Sequence, residues 1–337
     1  MTRPATLWLF LLLTSFAVGG WAGPVRSQCT GSNLIDALSA DDRAALERQA
    51  ASVPFPSGNF WRATKQGSSI TVVGTMHIYD PRMEEMMQII GPVVDQADLV
   101  FVEAGRKEEA DLKAAVAAHP ELLVRLSGPT LPELLTKPEW RTLSAEMTAR
   151  GIPVVMAAKF QLWYVSMLLG IPACAMPDMQ AGVSGLDQLV IARAEAGQIP
   201  VRALESFDTI FKVFSTLSDA EQIEMIRAGL AVIQSADDQF ATLLASYFAG
   251  QHRLLWEFTR MQATRTPGQD PARLAAEFDL MEKTLLTGRT VPWMDVLLPA
   301  AAGKQVVVAV GAAHLSGDLG LLNLLAGEGW TLTPLGP

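Results

Sequence analysis

The chain has 337 residues, 26 basic against 35 acidic, and a formal net charge of −9. That balance argues against a broad nucleic-acid-binding surface and against electrostatic docking on anionic lipid. Half the residues are hydrophobic, enough to core one large α/β domain or two closely packed halves.

The first stretch, MTRPATLWLFLLLTSFAVGGWAG, carries one arginine, an unbroken apolar run, and the small residues Gly20 and Ala22 spaced for cleavage. It reads as a secretory signal over residues 1–22, with a retained membrane anchor as the alternative. The body, 23–337, is then expected as a single exported domain, periplasmic or extracellular. No later segment has the roughly 18 consecutive apolar residues of a membrane span. LWYVSMLLGIPACAM, at 162–176, is short and contains Pro172, so it predicts a buried helix ending at that proline. The chain has two cysteines, Cys29 and Cys174, and an even count in an exported protein predicts a disulfide between them.

In chain order, DALSADDRAALERQAAS (36–52) has alanine and leucine at helical spacing behind Asp41 and Asp42, which predicts a helix. NFWRATKQGSSITVVGTMH predicts a hairpin: a strand around Trp61, a turn at 65–69 and a buried strand at 70–73. PRMEEMMQIIGPVVDQA follows as a helix, or a pair broken at Gly91-Pro92, and DLVFVEAG is a second buried strand ending in Glu103. Strand, helix, strand in about thirty residues predicts a βαβ unit and a parallel sheet. Residues 107–150 read as helical with breaks at Pro120, Pro129, Pro132 and Pro138. RGIPVVMAAKF and GQIPVRALES each predict a turn and a short strand. From about 210 to 288 the pattern is almost wholly helical, apart from a loop at TRTPGQDPA. QVVVAVGA is the last buried strand before His314, LGLLNLLAGEGW is a helix, and TLTPL follows it.

In parallel sheets, functional groups collect at the carboxyl ends of strands. His77 stands there in TVVGTMHIYD and His314 in VVVAVGAAHLSGD, two Gly-x-x-His segments in a chain with four histidines. If both strands share a sheet, the imidazoles converge, and two imidazoles with a carboxylate suit a divalent cation with open coordination positions. The glycine would let the chain turn sharply and bring N–H groups near a bound group. Glu103 follows four apolar residues, so its charge needs a partner: a cation in the site, or Arg106 or Lys107. Glu205 has the same strand-end character, with Arg202 as the more ordinary partner. Arg289, in LLTGRTVPWMD, reads as a polar break after a helix, where a guanidinium can hold a carboxylate or an oxyanion. Asp80 and Asp318 follow the two histidines by three and four residues and can cap the next helix or orient an imidazole. His119 and His252 lack strand context and read as ordinary surface or helix histidines.

Assembled, these residues resemble the TraB/GumN family, which includes PrgY and is related to the animal Tiki metalloproteases. The marks are GTMH with His77, FVEAG with Glu103, GAAH with His314 and RTVPW with Arg289, together with GLDQL at 185–189. Threonine at 290 replaces the asparagine usual in the last motif. The resemblance implies an α/β fold similar to erythromycin-esterase and ChaN-like proteins, with a mostly parallel sheet of two related halves. A large helical insertion (about 107–150 and 210–288) would lie between them. It implies a divalent-metal-dependent hydrolase, most readily a peptidase, served by manganese or cobalt rather than zinc. His77, Glu103 and His314 would hold the metal or the attacking water, Arg289 would stabilise developing negative charge, and Glu103 is equally placed as general base. The partner is then a peptide or small-molecule substrate, with no nucleic acid and no membrane after cleavage. The family also admits non-catalytic peptide or haem sequestration and a part in envelope polysaccharide assembly.

Overall fold

The computed structural model describes residues 29–183, 185–265 and 270–336. The signal expected at 1–22 lies outside them, as does part of the loop expected at 264–272. Six strands form one sheet: β1 (Phe60–Lys65), β2 (Ser68–Thr75), β3 (Leu99–Val102), β4 (Val201–Ala203), β5 (Gln305–Gly311) and β6 (Thr331–Pro334). Their order is β4-β3-β5-β2-β1-β6. β4, β3, β5 and β2 run parallel, and β1 and β6 join antiparallel.

β1 and β2 form the expected hairpin, closed by Gln66 and Gly67 at φ 47° and 83°. Two positive φ values in a two-residue loop match the right-handed twist of the strands. β2 and β5 are buried along nearly their whole length, which their β-branched runs allow because helices cover both faces. The helices Met83–Val94 and Leu186–Ala196 pack Ile90, Val94, Val190 and Ile191 on one face. The helices Gly288–Ala301 and Leu321–Gly327 pack Trp293, Leu297, Leu322 and Leu325 on the other.

The topology departs from a simple βαβ neighbour pair. β5, from the far end of the chain, enters between β2 and β3 and pairs with both. Its eleven register partners place Thr75 opposite Gly311 and Val102 opposite Ala309. The segments after β2, β3 and β5 therefore leave the sheet side by side.

Most of residues 106–301 is helical apart from β4, as the expected insertion requires. The helix Leu162–Leu169 is buried with Leu131, Leu143, Met147 and Ile226 in a core of its own, and it ends before Pro172 as expected. Among the described residues no single helix is long and apolar enough to cross a membrane. The expected Cys29–Cys174 disulfide is present. Three local expectations need correction. The first helix starts at Ala40, capped by the Ser39 side chain, rather than at 36. Of the two readings of PRMEEMMQIIGPVVDQA, the single helix holds: Met83–Val94, with Pro92 inside it. RGIPVVMAAKF forms the short helix Val154–Ala157, not a strand, because packing of Ala157 and Phe160 with Leu131 and Leu143 outweighs the strand preference of Val154 and Val155. Arg289 lies inside the helix Gly288–Ala301, which continues a π-helical turn, Lys283–Thr287, not in a polar break.

Candidate functional site at the strand ends

His77 follows β2 by two residues and Glu103 follows β3 directly. Glu205 comes two residues after β4 and His314 three after β5. Four parallel strands thus deliver two imidazoles and two carboxylates to one end of the sheet, and Arg289 reaches them from the helix Gly288–Ala301.

Arg289 ties the carboxylates together. Its Nε and Nη2 donate to Glu205 Oε1 and Oε2 at 2.8 and 2.9 Å, and Nη2 also donates to Glu103 Oε2 at 2.5 Å. Nη1 donates to the Leu285 carbonyl at 3.1 Å. A guanidinium has five N–H donors, so four are engaged and one on Nη1 remains. Trp293 Nε1 donates to Glu205 Oε1 at 2.9 Å. Glu205 therefore pairs with Arg289 rather than Arg202, whose guanidinium stacks over Phe101. Glu103 likewise pairs with Arg289, while Arg106 bonds Gln188 and Lys107 bonds Asp111.

Glu103 Oε1 accepts from the Gly311 N–H at 2.7 Å and lies 3.9 Å from His314 Nε2. Burial pushes the Glu103 carboxyl up, but His314, Arg289, His77 and the Gly311 N–H outweigh it and hold the group at about 2. At neutral pH the cations responsible are Arg289 and His77, because burial, opposed by Glu103 but reinforced by Arg289 and His77, lowers His314 to about 4.

His314 is 4 % exposed and packs at a tilt of 45° against Trp293 with ring centroids 4.6 Å apart. Its Nδ1 is 2.7 Å from Thr290 Oγ1, which also lies 3.0 Å from the Leu286 carbonyl. A hydroxyl has one proton; with that proton on Leu286 O, His314 Nδ1 must be the donor to Oγ1. With the proton so placed the neutral ring is the Nδ1–H tautomer and Nε2 carries the lone pair; with the hydroxyl donating to Nδ1 instead, the ring is the Nε2–H tautomer. His77 is arranged the same way by a carboxylate: Nδ1 sits 3.3 Å from Asp187 Oδ2. That hydrogen bond, opposed by burial and aided by the charges of Asp187 and Glu103, raises His77 to about 9. Two-thirds of the His77 side chain is accessible.

Close backbone packing sets these positions. A Cβ on Gly185 would lie 2.2 Å from the Met76 carbonyl oxygen, and the next N–H, of Leu186, donates to that same oxygen at 3.0 Å. Asp187 is thereby carried to His77 in the first turn of the helix Leu186–Ala196. The motif glycines work by close approach rather than by turning. A Cβ on Gly74 would meet Leu315 at 2.8 Å and Ala312 at 3.1 Å, and one on Gly311 would meet Glu103 Oε1 at 3.2 Å.

Of the supporting residues, Asp80 accepts from the Arg82 N–H and pairs with its guanidinium, so it shapes the turn before Met83–Val94 and does not orient His77. Asp318 is exposed, and its carbonyl accepts from Asn323; Thr290, not Asp318, orients His314. His119 is a surface residue beside Glu121. His252 is buried, against expectation. Sequence reasoning missed Asp187 and Thr290 as imidazole anchors; the available signal was their place in GLDQL and RTVPW.

The donor chemistry of the site suits a divalent cation in one respect. Both imidazoles have Nδ1 held by an oxygen, as outer-shell partners hold metal-ligating histidines, and both Nε2 atoms are left over. Glu103 is committed to Arg289 and Gly311. Among the described residues no three His, Cys, Asp or Glu side chains are gathered tightly enough to hold an ion as they stand.

Sheet and site together define a mostly parallel α/β protein with a polar His–Glu–Arg cluster at the carboxyl ends of its strands. The profile of the TraB/PrgY/gumN family matches residues 59–334, and the chain belongs to that family. No curated protein matches it.

Proposed function

We propose that this chain is an exported, divalent-metal-dependent hydrolase acting on peptides, with manganese or cobalt as the metal. The observation that carries the reading is the meeting of His77, Glu103 and His314 at the ends of β2, β3 and β5, both imidazoles anchored through Nδ1. His314, and His77 once it gives up the proton it carries at neutral pH, would hold the cation through Nε2, with Glu103 beside them. When bound, it would polarise a scissile carbonyl and supply a nucleophile at neutral pH. A carboxylate held at about 2 is a weak general base, so Glu103 serves as an anionic ligand or positioning group. Arg289 fixes Glu103 and Glu205, and its one remaining Nη1–H is the donor left for developing negative charge. Export accords with the N-terminal signal and with the Cys29–Cys174 disulfide, a bond that persists in oxidising compartments.

The test is direct. The purified mature chain is dialysed against Mn2+ or Co2+, its bound metal is measured, and it is then incubated with a peptide library. The proposal expects bound metal and cleaved peptides, both lost in His77→Ala and His314→Ala. Absence of bound metal together with unchanged cleavage in His77→Ala would overturn it. A non-catalytic binding role has one observation on its side: Glu103 and Arg289 already satisfy each other. Stoichiometric peptide retention without product would assign that role.

A further inference from the structure

β4 is an edge strand of three residues, paired on one side with β3. The Val100 N–H donates to the Pro200 carbonyl at 2.9 Å, and the Leu204 N–H donates to the Val102 carbonyl at 2.8 Å. Alternate residues of a strand face the same neighbour, so Pro200, Arg202 and Leu204 turn toward β3. Val201 and Ala203 therefore turn their N–H and C=O groups to the open side. β4 also lines a hollow of about 360 Å3 whose other walls are Gly105, Arg106, Lys107, Glu108 and Glu195.

This edge leads into the candidate site, because Ala203 precedes Glu205 by two residues and Gly105 follows Glu103 by two. Beyond Glu205 the chain borders a second, mainly apolar hollow of about 430 Å3, lined by Phe207, Phe211 and Leu122. The helix Arg106–Ala118 runs from one hollow to the other and has no buried residue of its own. At 1.5 Å per residue that helix is roughly 20 Å long, which an extended chain covers in about six residues. Among the described residues Arg202, on the wall of the first hollow, has no acidic partner.

We propose that an extended peptide docks as an added strand on the free edge of β4, crosses the strand ends at Glu205, and places an apolar side chain between Phe207 and Phe211. This proposal rests on the peptide-directed reading of the site and adds its mode of recognition. Only a polypeptide offers donors and acceptors that repeat every second residue to match Val201 and Ala203. Arg202 favours an acidic side chain at the β4 end.

The test uses the full mature chain and a library of acetylated, amidated octapeptides in metal-free buffer, with retained peptides identified by mass spectrometry. The tightest binder is then N-methylated one position at a time. Two alternate N-methylations should each weaken binding at least tenfold, with the position between them tolerated. Ala203→Pro removes an edge N–H that is outside the β3 ladder, the one kind of strand position where proline is accepted, and should weaken the parent peptide to the same degree. If that variant does not fold, the N-methyl scan on the unaltered chain still decides. Equal tolerance at every position, or no octapeptide retained, would overturn the proposal. Cleavage with Mn2+ is scored separately. Peptides cleaved without the two-residue periodicity would sink the edge docking and leave the hydrolase standing. Periodic binding without cleavage would do the reverse.

Discussion

Thr290 Oγ1 and His314 Nδ1 stand 2.7 Å apart in a fully buried contact, and the same hydroxyl reaches the Leu286 carbonyl. With the hydroxyl proton on the helix backbone, the imidazole donates from Nδ1 and its Nε2 faces Glu103. Thr290→Val keeps the shape and deletes the oxygen. It should leave a buried Nδ1–H unsatisfied, at a cost of about 1–3 kcal/mol, and release the tautomer. Imidazole 15N shifts would then show His314 sampling Nε2–H. Under the proposed function, metal affinity should fall roughly 10–100-fold, with Thr290→Ser restoring it. A His314 spectrum unchanged in Thr290→Val would show that the hydroxyl does not set the tautomer.

Asp187 does for His77 what Thr290 does for His314, with the difference that it carries charge. The hydrogen bond to Asp187 raises His77 from its ordinary value to about 9. A raised histidine pKa contributes stability that is complete below about 6.5, the unfolded value. That contribution is lost as pH rises through about 9. Asp187→Asn removes the charge and keeps the size, so the His77 Cε1–H titration should move from about 9 back toward 6.5. The alkaline loss of stability should flatten in the same variant. An unmoved midpoint would mean that Glu103, not Asp187, governs the ring.

What the sequence discloses about this site follows distance along the chain. His77, Glu103 and His314 were legible because each ends a buried apolar run, a signal carried by a handful of neighbouring residues. The sheet was legible for the same reason, except that nothing local says β5 should enter between β2 and β3. Partners were misread where a near residue competed with a distant one. Arg202 is three residues from Glu205, yet the partner is Arg289, 84 positions away. Asp80 is three from His77, yet the anchor is Asp187. Arg289 reads as part of a polar break after a helix, whereas packing of Trp293 and Leu297 on the sheet keeps Gly288 and Pro292 inside one helix despite their poor helical propensity. The motif glycines were read as turn residues, whereas Gly74 and Gly311 matter for what stands against them in space.

His252 supplies an acid-sensitive element apart from the strand ends. It begins the helix His252–Thr264, is 5 % exposed, and neither ring nitrogen has a well-formed hydrogen bond. Burial pushes its pKa down to about 4, the nearby Phe55 backbone opposing and Arg253 reinforcing. The positive end of a helix also disfavours a cation there. The sign follows from linkage: between about 6.5 and 4 the unfolded chain takes up a proton that the folded chain refuses. Stability is therefore full above 6.5, declines as the pH falls, and levels off below about 4. With each pH unit costing at most about 1.4 kcal/mol, the whole loss is on the order of 3 kcal/mol. His314 has the same sign, so the histidines must be separated by difference. His252→Leu cannot titrate, and urea unfolding of the two proteins at pH 7, 6, 5 and 4.5 should give stabilities whose gap shifts in favour of the variant as acid is added. A gap independent of pH would show that His252 is solvated or paired in the folded chain.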